Sequence, residues 1–335
     1  MKLLITGSSG MVGSYLVDRF ASLYDLLVPS HAAFDITNRD HVMAYVLKNR
    51  PDVVIHAAGV TDPKNAEKER GDESGLCFRT NVLGTRYMKE ASERVGAFLI
   101  HISTGSVFFG NDKSPGPFRE DAPIPKALNG MSWYGWTKVL SEREVGKGGA
   151  IVRLSKPLQE ISFDPKNSFA RPGLAKLKKC DYLGKLLFEY ENHMLAGLMH
   201  DQYFPVVSMD EVARLLRWII DHKKSGIYHA ASPDVVSPIE LFRYALLRPT
   251  SPRECFAGLR KGAALRVMGN AESRTIQSFT FDEFVKTQEL PLRYQKYSAI
   301  DSRGTVEKTG IQFLPWKKAV DKIEDLHTSV IARPF

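Results

Sequence analysis

Three glycines, Gly7, Gly10 and Gly13, constrain this chain more than any other feature, because they lie between a strand pattern and a helix pattern. Lys2–Thr6 (KLLIT) is a continuous apolar run, and Met11–Ala21 puts Met11, Tyr15, Leu16 and Phe20 on one helical face. A glycine takes the positive-φ turn that such a junction needs, and its missing side chain lets backbone N–H groups approach a ligand. The following helix points its N-terminus at the same place, where a phosphate is favoured. Gly7, Ser9, Gly10, Met11, Val12 and Gly13 are therefore expected to cradle the pyrophosphate of a dinucleotide.

The first half continues this alternation. Leu26–Val28, Val53–Ala57, Phe98–Ser103 and Ala150–Leu154 read as strands. Between them lie helical patterns to about Arg50, over Val82–Val95 and over Tyr134–Glu144, the first opened by Thr37 with Asp40. Strands that are continuously apolar are buried on both faces, so this is an α/β chain with a Rossmann-like, doubly wound parallel sheet. The second half is less regular. Ser208-Met-Asp-Glu211 and Ser237-Pro-Ile-Glu240 are capping boxes, Gly226–Ala230 reads as a short strand, and Trp316–Ser329 as a helix. A dinucleotide-binding domain over 1–156 and a smaller α/β substrate domain over 157–335 are expected, with some later segments returning to the sheet.

At the end of the second strand a carboxylate would accept from a ribose 2′-hydroxyl and repel a 2′-phosphate. Here Val28-Pro-Ser30-His31 supplies none, and Ser30 and His31 suit a phosphate. NADP(H) is preferred, and the lack of an arginine clamp leaves NAD(H) open. Asp35 and Ile36 stand where the adenine would lie, with a plain turn or cap as the other role for Asp35.

Tyr134 and Lys138 are four apart and share a helix face. An ammonium beside a phenol favours the phenolate, and such a tyrosine can pass a proton to or from a carbinol oxygen. Alone the pair is commonplace. Thr104 ends a strand whose carboxyl end borders the ligand crevice, and Asn81 opens the preceding helix as a supporting group or a cap.

Together, Gly7-x-x-Gly10-x-x-Gly13, His56-Ala57-Ala58-Gly59, Thr80-Asn81-Val82, His101-Ile-Ser-Thr104, Tyr134-x-x-x-Lys138 and Arg153-Leu-Ser155 resemble the extended short-chain dehydrogenase/reductases. Within them the chain is most similar to the dTDP-4-dehydrorhamnose reductases, through Arg50–Ala58, Ile102–Gly110 and Leu314-Pro-Trp316. The resemblance implies Tyr134 as acid/base, Lys138 as its pKa modulator and ribose anchor, Thr104 as a hydrogen bond to the reacting oxygen, and Asn81 in support. It adds Ala57, Ala58 and Gly59 to the cofactor contacts. Thr104, Ser106, Tyr134 and Arg171 become candidate substrate contacts. Three departures stand near the substrate. Gly105-Ser106 follow Thr104 where those reductases have Asp-Tyr, Lys156-Pro157-Leu158 replace Trp-Val-Tyr, and Ala122–Tyr134 is longer.

Gly105-Ser106 offers no carboxylate for dehydration, so the resemblance implies an NADPH-dependent reductase of a nucleotide-linked 4-keto sugar. A nucleotide-sugar epimerase and a non-catalytic dinucleotide-binding regulatory subunit are the alternatives. The net charge of +8, spread over 335 residues, reads first as an ordinary solvated surface, then as a bias toward an anionic ligand, with nucleic acid third. The stretch Arg171–Lys185, with five bases and one acid, is the one candidate for nucleic acid and reads better as a solvated face or a diphosphate contact. Cys77, Cys180 and Cys255 lie far apart, so neither a disulfide framework nor a zinc site is expected, and no acidic cluster has metal spacing. With no apolar run of membrane length and no signal peptide, a cytoplasmic protein, with a homodimer allowed, is the expectation.

Overall fold

The computed structural model describes residues 1–128, 130–159, 181–246, 276–287 and 295–331. Its centre is a six-stranded sheet built from β1 (Lys2–Thr6), β2 (Asp25–Leu27), β3 (Val53–His56), β4 (Phe98–Thr104), β5 (Ala150–Leu154) and β6 (Gly226–Ala230). The order is β2-β1-β3-β4-β5-β6 and every pairing is parallel. Parallel neighbours need crossovers, and helices supply them on both faces.

On one face α1 (Met11–Phe20) and α5 (Met209–His222) pack Leu16, Phe20, Val212, Leu215, Leu216 and Ile219 against Leu3, Ile5, Ile55, Ile100 and Val152. On the other, α2 (Arg39–Asn49) and α3 (Gly84–Val95) pack Val42, Val46, Met88 and Ala91 against Leu4, Val54, Leu99 and Ile151. Successive strand residues point to opposite faces, so both parities must be apolar, which is why these strands read as unbroken runs. Each of the larger side chains, fully buried, stabilises the fold by about 1.5–3 kcal/mol. A separate core holds Leu183, Leu187, Phe204, Phe242 and Val320, residues from the second half of the chain.

The strands and helices expected from the sequence are present, with shifts at their ends. β2 ends at Leu27, not Val28. Asn38, not Thr37, caps α2: its side chain accepts from the Asp40 and His41 amides, while Thr37 is held by Asp35. The helix expected from Val82 begins earlier, as a π-turn over Arg79–Leu83 that runs into α3. Such a turn inserts one residue and is common at functional sites. The tyrosine helix, α4 (Trp133–Val145), starts at Ser132, whose hydroxyl accepts from the Gly135 amide, and stops at Gly146. Both capping boxes form as expected, with Ser208 and Glu211 exchanging bonds at one and Ser237 and Glu240 at the other.

Candidate active site

Gly7 has φ +69°, the left-handed region that favours glycine. A Cβ on it would stand 2.6 Å from the Ala58 amide nitrogen and 2.7 Å from the Ala57 carbonyl, and one on Gly13 would overlap the Gly7 carbonyl. These two glycines thus let β1, β3 and α1 close on one another. Gly10 is different: a Cβ there meets only the Gly7 carbonyl, at 3.2 Å. It sits at the N-cap of α1, where no side chain caps the free amides and no acid occupies the first turn. Helix N-terminal amides without a protein partner, beside a backbone that nothing shields, fit a pyrophosphate. Met11 and Val12 pack partly into the core, so their amides are what they can offer a ligand.

A cleft of about 450 Å³ opens beside this turn, lined by Ser8, Ser9, Ser14, Val17, Asp18, Val28, Ser30 and His31. Hydroxyls and an imidazole at the end of β2 fit a ribose phosphate, and Asp18 is the lone acid among the lining residues. Asp35 and Ile36 are not among them. Two bonds from Thr37 hold the Asp35 carboxyl below the usual carboxylate range, and Ile36 is buried against Gly84.

At the carboxyl end of β4, the Thr104 hydroxyl accepts from the Ser106 amide at 3.1 Å, donates to the Ser106 hydroxyl at 3.3 Å and faces the Tyr134 phenol. Burial pushes that phenol up to about 12, while the Thr104 bond pulls the other way. Tyr134 therefore keeps its proton at neutral pH. Lys138 does not produce the lowering expected from the sequence. Its Nζ turns to the His101 Nε2 and the Ile102 carbonyl, each at 2.9 Å, and burial pulls the ammonium down to about 8. Asn81 is buried and works as a clasp. Its Oδ1 accepts from the Val60 amide at 2.8 Å, and its Nδ2 donates to the Val60 carbonyl and the Thr137 hydroxyl at 3.0 Å each. It ties the π-turn to the loop after β3, where a Cβ on Gly59 would meet its Oδ1 at 3.1 Å.

The structure thus gathers Thr104, Ser106 and Tyr134 in one place, with Lys138 and Asn81 in the shell behind, and the glycine turn against Ala57 and Ala58. Arg171 lies outside the described residues. Gly105 explains one departure: a Cβ there would stand 2.9 Å from the Ser298 carbonyl, so a larger residue does not fit without a shift.

Several residues near this site, some of them members of the quoted motifs, were given no role by sequence reasoning. Thr6, His56 and His101 pair in register across β1, β3 and β4. The Thr6 hydroxyl meets the His56 Nδ1 at 2.9 Å and accepts from the Ala58 amide at 3.2 Å. Burial lowers the pKa of His56 to about 3 and that of His101 well below its usual value. Arg153 on β5 makes a two-pronged bond to Glu142 on α4, at 2.9 and 2.7 Å, and Ser103 donates to the same carboxylate at 2.6 Å. Gln295 donates to the Ser106 carbonyl at 2.8 Å. The legible signal was a polar residue inside a doubly buried strand: His56, His101 and Arg153 all interrupt apolar runs.

The profile of the family described as the RmlD substrate binding domain matches residues 1–328. The chain is 27% identical over 241 residues to the dTDP-4-dehydrorhamnose reductase of Aggregatibacter actinomycetemcomitans, covering 70% of this chain and 75% of that protein. It is 31% identical over 256 residues to the methionine adenosyltransferase 2 subunit beta of Xenopus laevis, covering 72% and 70%. Among solved structures it superposes on the dTDP-4-dehydrorhamnose reductase of Bacillus anthracis in complex with NADP, with TM-score 0.72 and 21% identity over 96% of this chain and 98% of that one.

Proposed function

Because the chain belongs to the RmlD substrate binding domain family, we propose that it is an NADPH-dependent reductase of a nucleotide-linked 4-keto sugar. The observation that carries the reading is the Thr104–Tyr134 hydroxyl pair at the carboxyl end of β4. A carbonyl oxygen placed between two hydroxyls accepts from both, and the bonds strengthen as negative charge gathers on it. When bound, the reduced nicotinamide supplies the hydride that adds to the carbonyl carbon. Tyr134 gives its proton to the resulting alkoxide and regains one from solvent. A phenol raised to about 12 is protonated at neutral pH, which suits reduction. Lys138, charged below about 8, anchors the nicotinamide ribose. The cradle of Gly7, Gly10 and Gly13 holds the pyrophosphate, and Ser30 and His31 receive the 2′-phosphate. Residues 1–156 make the dinucleotide-binding domain. Residues 157–335 make mainly the substrate domain, with α5 and β6 returned to the sheet.

A specific observation favours a second reading. A relative at 31% identity is named as a subunit of a methionine adenosyltransferase, and Lys138 is engaged by His101. On that reading the chain binds the dinucleotide and performs no reduction. Incubation with NADPH and a panel of nucleotide-linked 4-keto sugars, followed at 340 nm, decides. NADPH oxidation with a new hydroxyl in the product supports the reductase. Tight NADPH binding with no turnover on any sugar overturns it in favour of the subunit.

A further inference from the structure

Lys156 lies just past β5, whose Leu154 pairs in register with Thr104. Two residues of extended chain span about 7 Å, so this lysine stands on the same crevice edge as the Thr104 hydroxyl. Its backbone is unusual. Its φ is +39°, a left-handed conformation that side chains with a Cβ rarely adopt. A following proline, Pro157, disfavours helical conformations further. A strained backbone at the rim of a site is worth a functional question.

The side chain sharpens it. The ammonium lies 4.3 Å from the centre of the Tyr182 ring and 5.3 Å from that of Phe204, and the two rings meet edge to face. Among the described residues no carboxylate pairs with Lys156. The charged group that acts on it is another cation, Lys185, whose own acid partner is Glu189 at 3.7 Å. Burial and that second cation pull its pKa down to about 8. A partly buried cation with no counter-ion among the described residues is costly, and aromatic faces offset only part of that cost. An anion arriving from outside would relieve the rest.

We propose that Lys156 is the cation that receives the diphosphate of the substrate, so that its aromatic clamp is a phosphoryl-binding subsite next to the reacting carbonyl. The proposal rests on the nucleotide-sugar reading above.

The test is calorimetric titration of wild type, Lys156→Met and Lys156→Arg with NADPH, inorganic pyrophosphate and the diphosphates of thymidine, uridine, cytidine, guanosine and adenosine. Thermal melts of all three proteins accompany it. The expected result is a loss of at least tenfold in diphosphate affinity for K156M, recovery to within about threefold for K156R, and NADPH affinity unchanged. K156M should also melt no lower than wild type, because it loses a desolvated charge. A cation–π staple of purely structural role predicts the reverse: a lower melting temperature and diphosphate affinity within twofold of wild type. That result overturns the proposal. If K156M does not fold, Lys156→Gln takes its place under the same criteria. If wild type binds none of the nucleoside diphosphates, the nucleotide-sugar reading fails, and pyrophosphate then carries the test. Equal pyrophosphate affinity in wild type and K156M, or none in either, overturns the subsite.

Discussion

The Nζ of Lys138 lies 2.9 Å from the Nε2 of His101. The imidazole is buried and its pKa is driven well down, so it is neutral at physiological pH. To accept from an ammonium it must present the Nε2 lone pair, which puts its hydrogen on Nδ1. That Nδ1 has no partner among the described residues, while the Nε2 also meets the Ser141 hydroxyl at 3.0 Å. An unsatisfied buried polar group costs about 1–3 kcal/mol, so the fold tolerates a local loss where it holds the lysine.

Burial of the amine sets a pH limit. Lys138 loses its charge near pH 8, so a step that needs the ammonium slows as pH rises through that value. Glu142 and Cys77 raise the pKa, while burial lowers it. His101 lends its lone pair to the charged form only. His101→Leu should therefore move the alkaline limb of kcat/KM to lower pH, and His101→Gln, which keeps an acceptor, should restore most of it. An unmoved limb in the leucine variant would show that the imidazole does not position the amine.

Tyr134→Phe removes the proton donor and leaves the ring packing in place. Turnover should fall about 10²–10⁴-fold, the usual contribution of a positioned acid, while NADPH affinity stays within a few-fold. Stopped-flow NADPH oxidation beside fluorescence titration separates the two quantities. A variant that keeps more than a tenth of the rate takes the phenol out of the mechanism.

Much of the scaffold was legible because it rests on short-range rules. The glycine turn, the continuous strands and the capping boxes each follow from residues close in sequence, and each is found in the structure. What lay beyond reach was pairing across the fold. His101 and Lys138 are 37 residues apart, and the spacing of Tyr134 and Lys138 told only that they share a helix face. Which way the amine turns depends on an imidazole from the neighbouring strand. Asn81 shows the same limit: its motif was visible, but the π-turn that aims it at Val60 and Thr137 is a product of packing.

The glycines divide into two kinds, and substitution should separate them. Gly10→Val puts its Cβ against a single neighbour, the Gly7 carbonyl at 3.2 Å, which must give by a few tenths of an ångström. The variant should fold with a melting temperature close to wild type and lose NADPH binding by a hundredfold or more, since the branched side chain blocks approach to the amides. Gly13→Val drives a side chain into the Gly7 backbone and should not fold stably. Circular dichroism melts and NADPH titration of the pair check this. A folded Gly10→Val that binds NADPH as wild type does would show that the turn is not the cradle.

The Arg153–Glu142 pair joins β5 to the helix that carries Tyr134 and Lys138, and both side chains are almost wholly enclosed, at 2% and 3% exposure. Ser103, the neighbour of Thr104, donates to the same carboxylate, and Arg153 stacks over Phe108 at 4.9 Å and meets the His229 Nε2 at 3.2 Å. Removing one partner leaves the other charge buried without compensation, at a cost of about 3–5 kcal/mol. Arg153→Met and Glu142→Gln should each lower the unfolding free energy measured in urea by that order. The double variant should lose less than the two single losses added together, because neither charge is then stranded. Strictly additive losses in a double-mutant cycle would mean that the two side chains stabilise the fold independently, and that α4 is anchored by its apolar face alone.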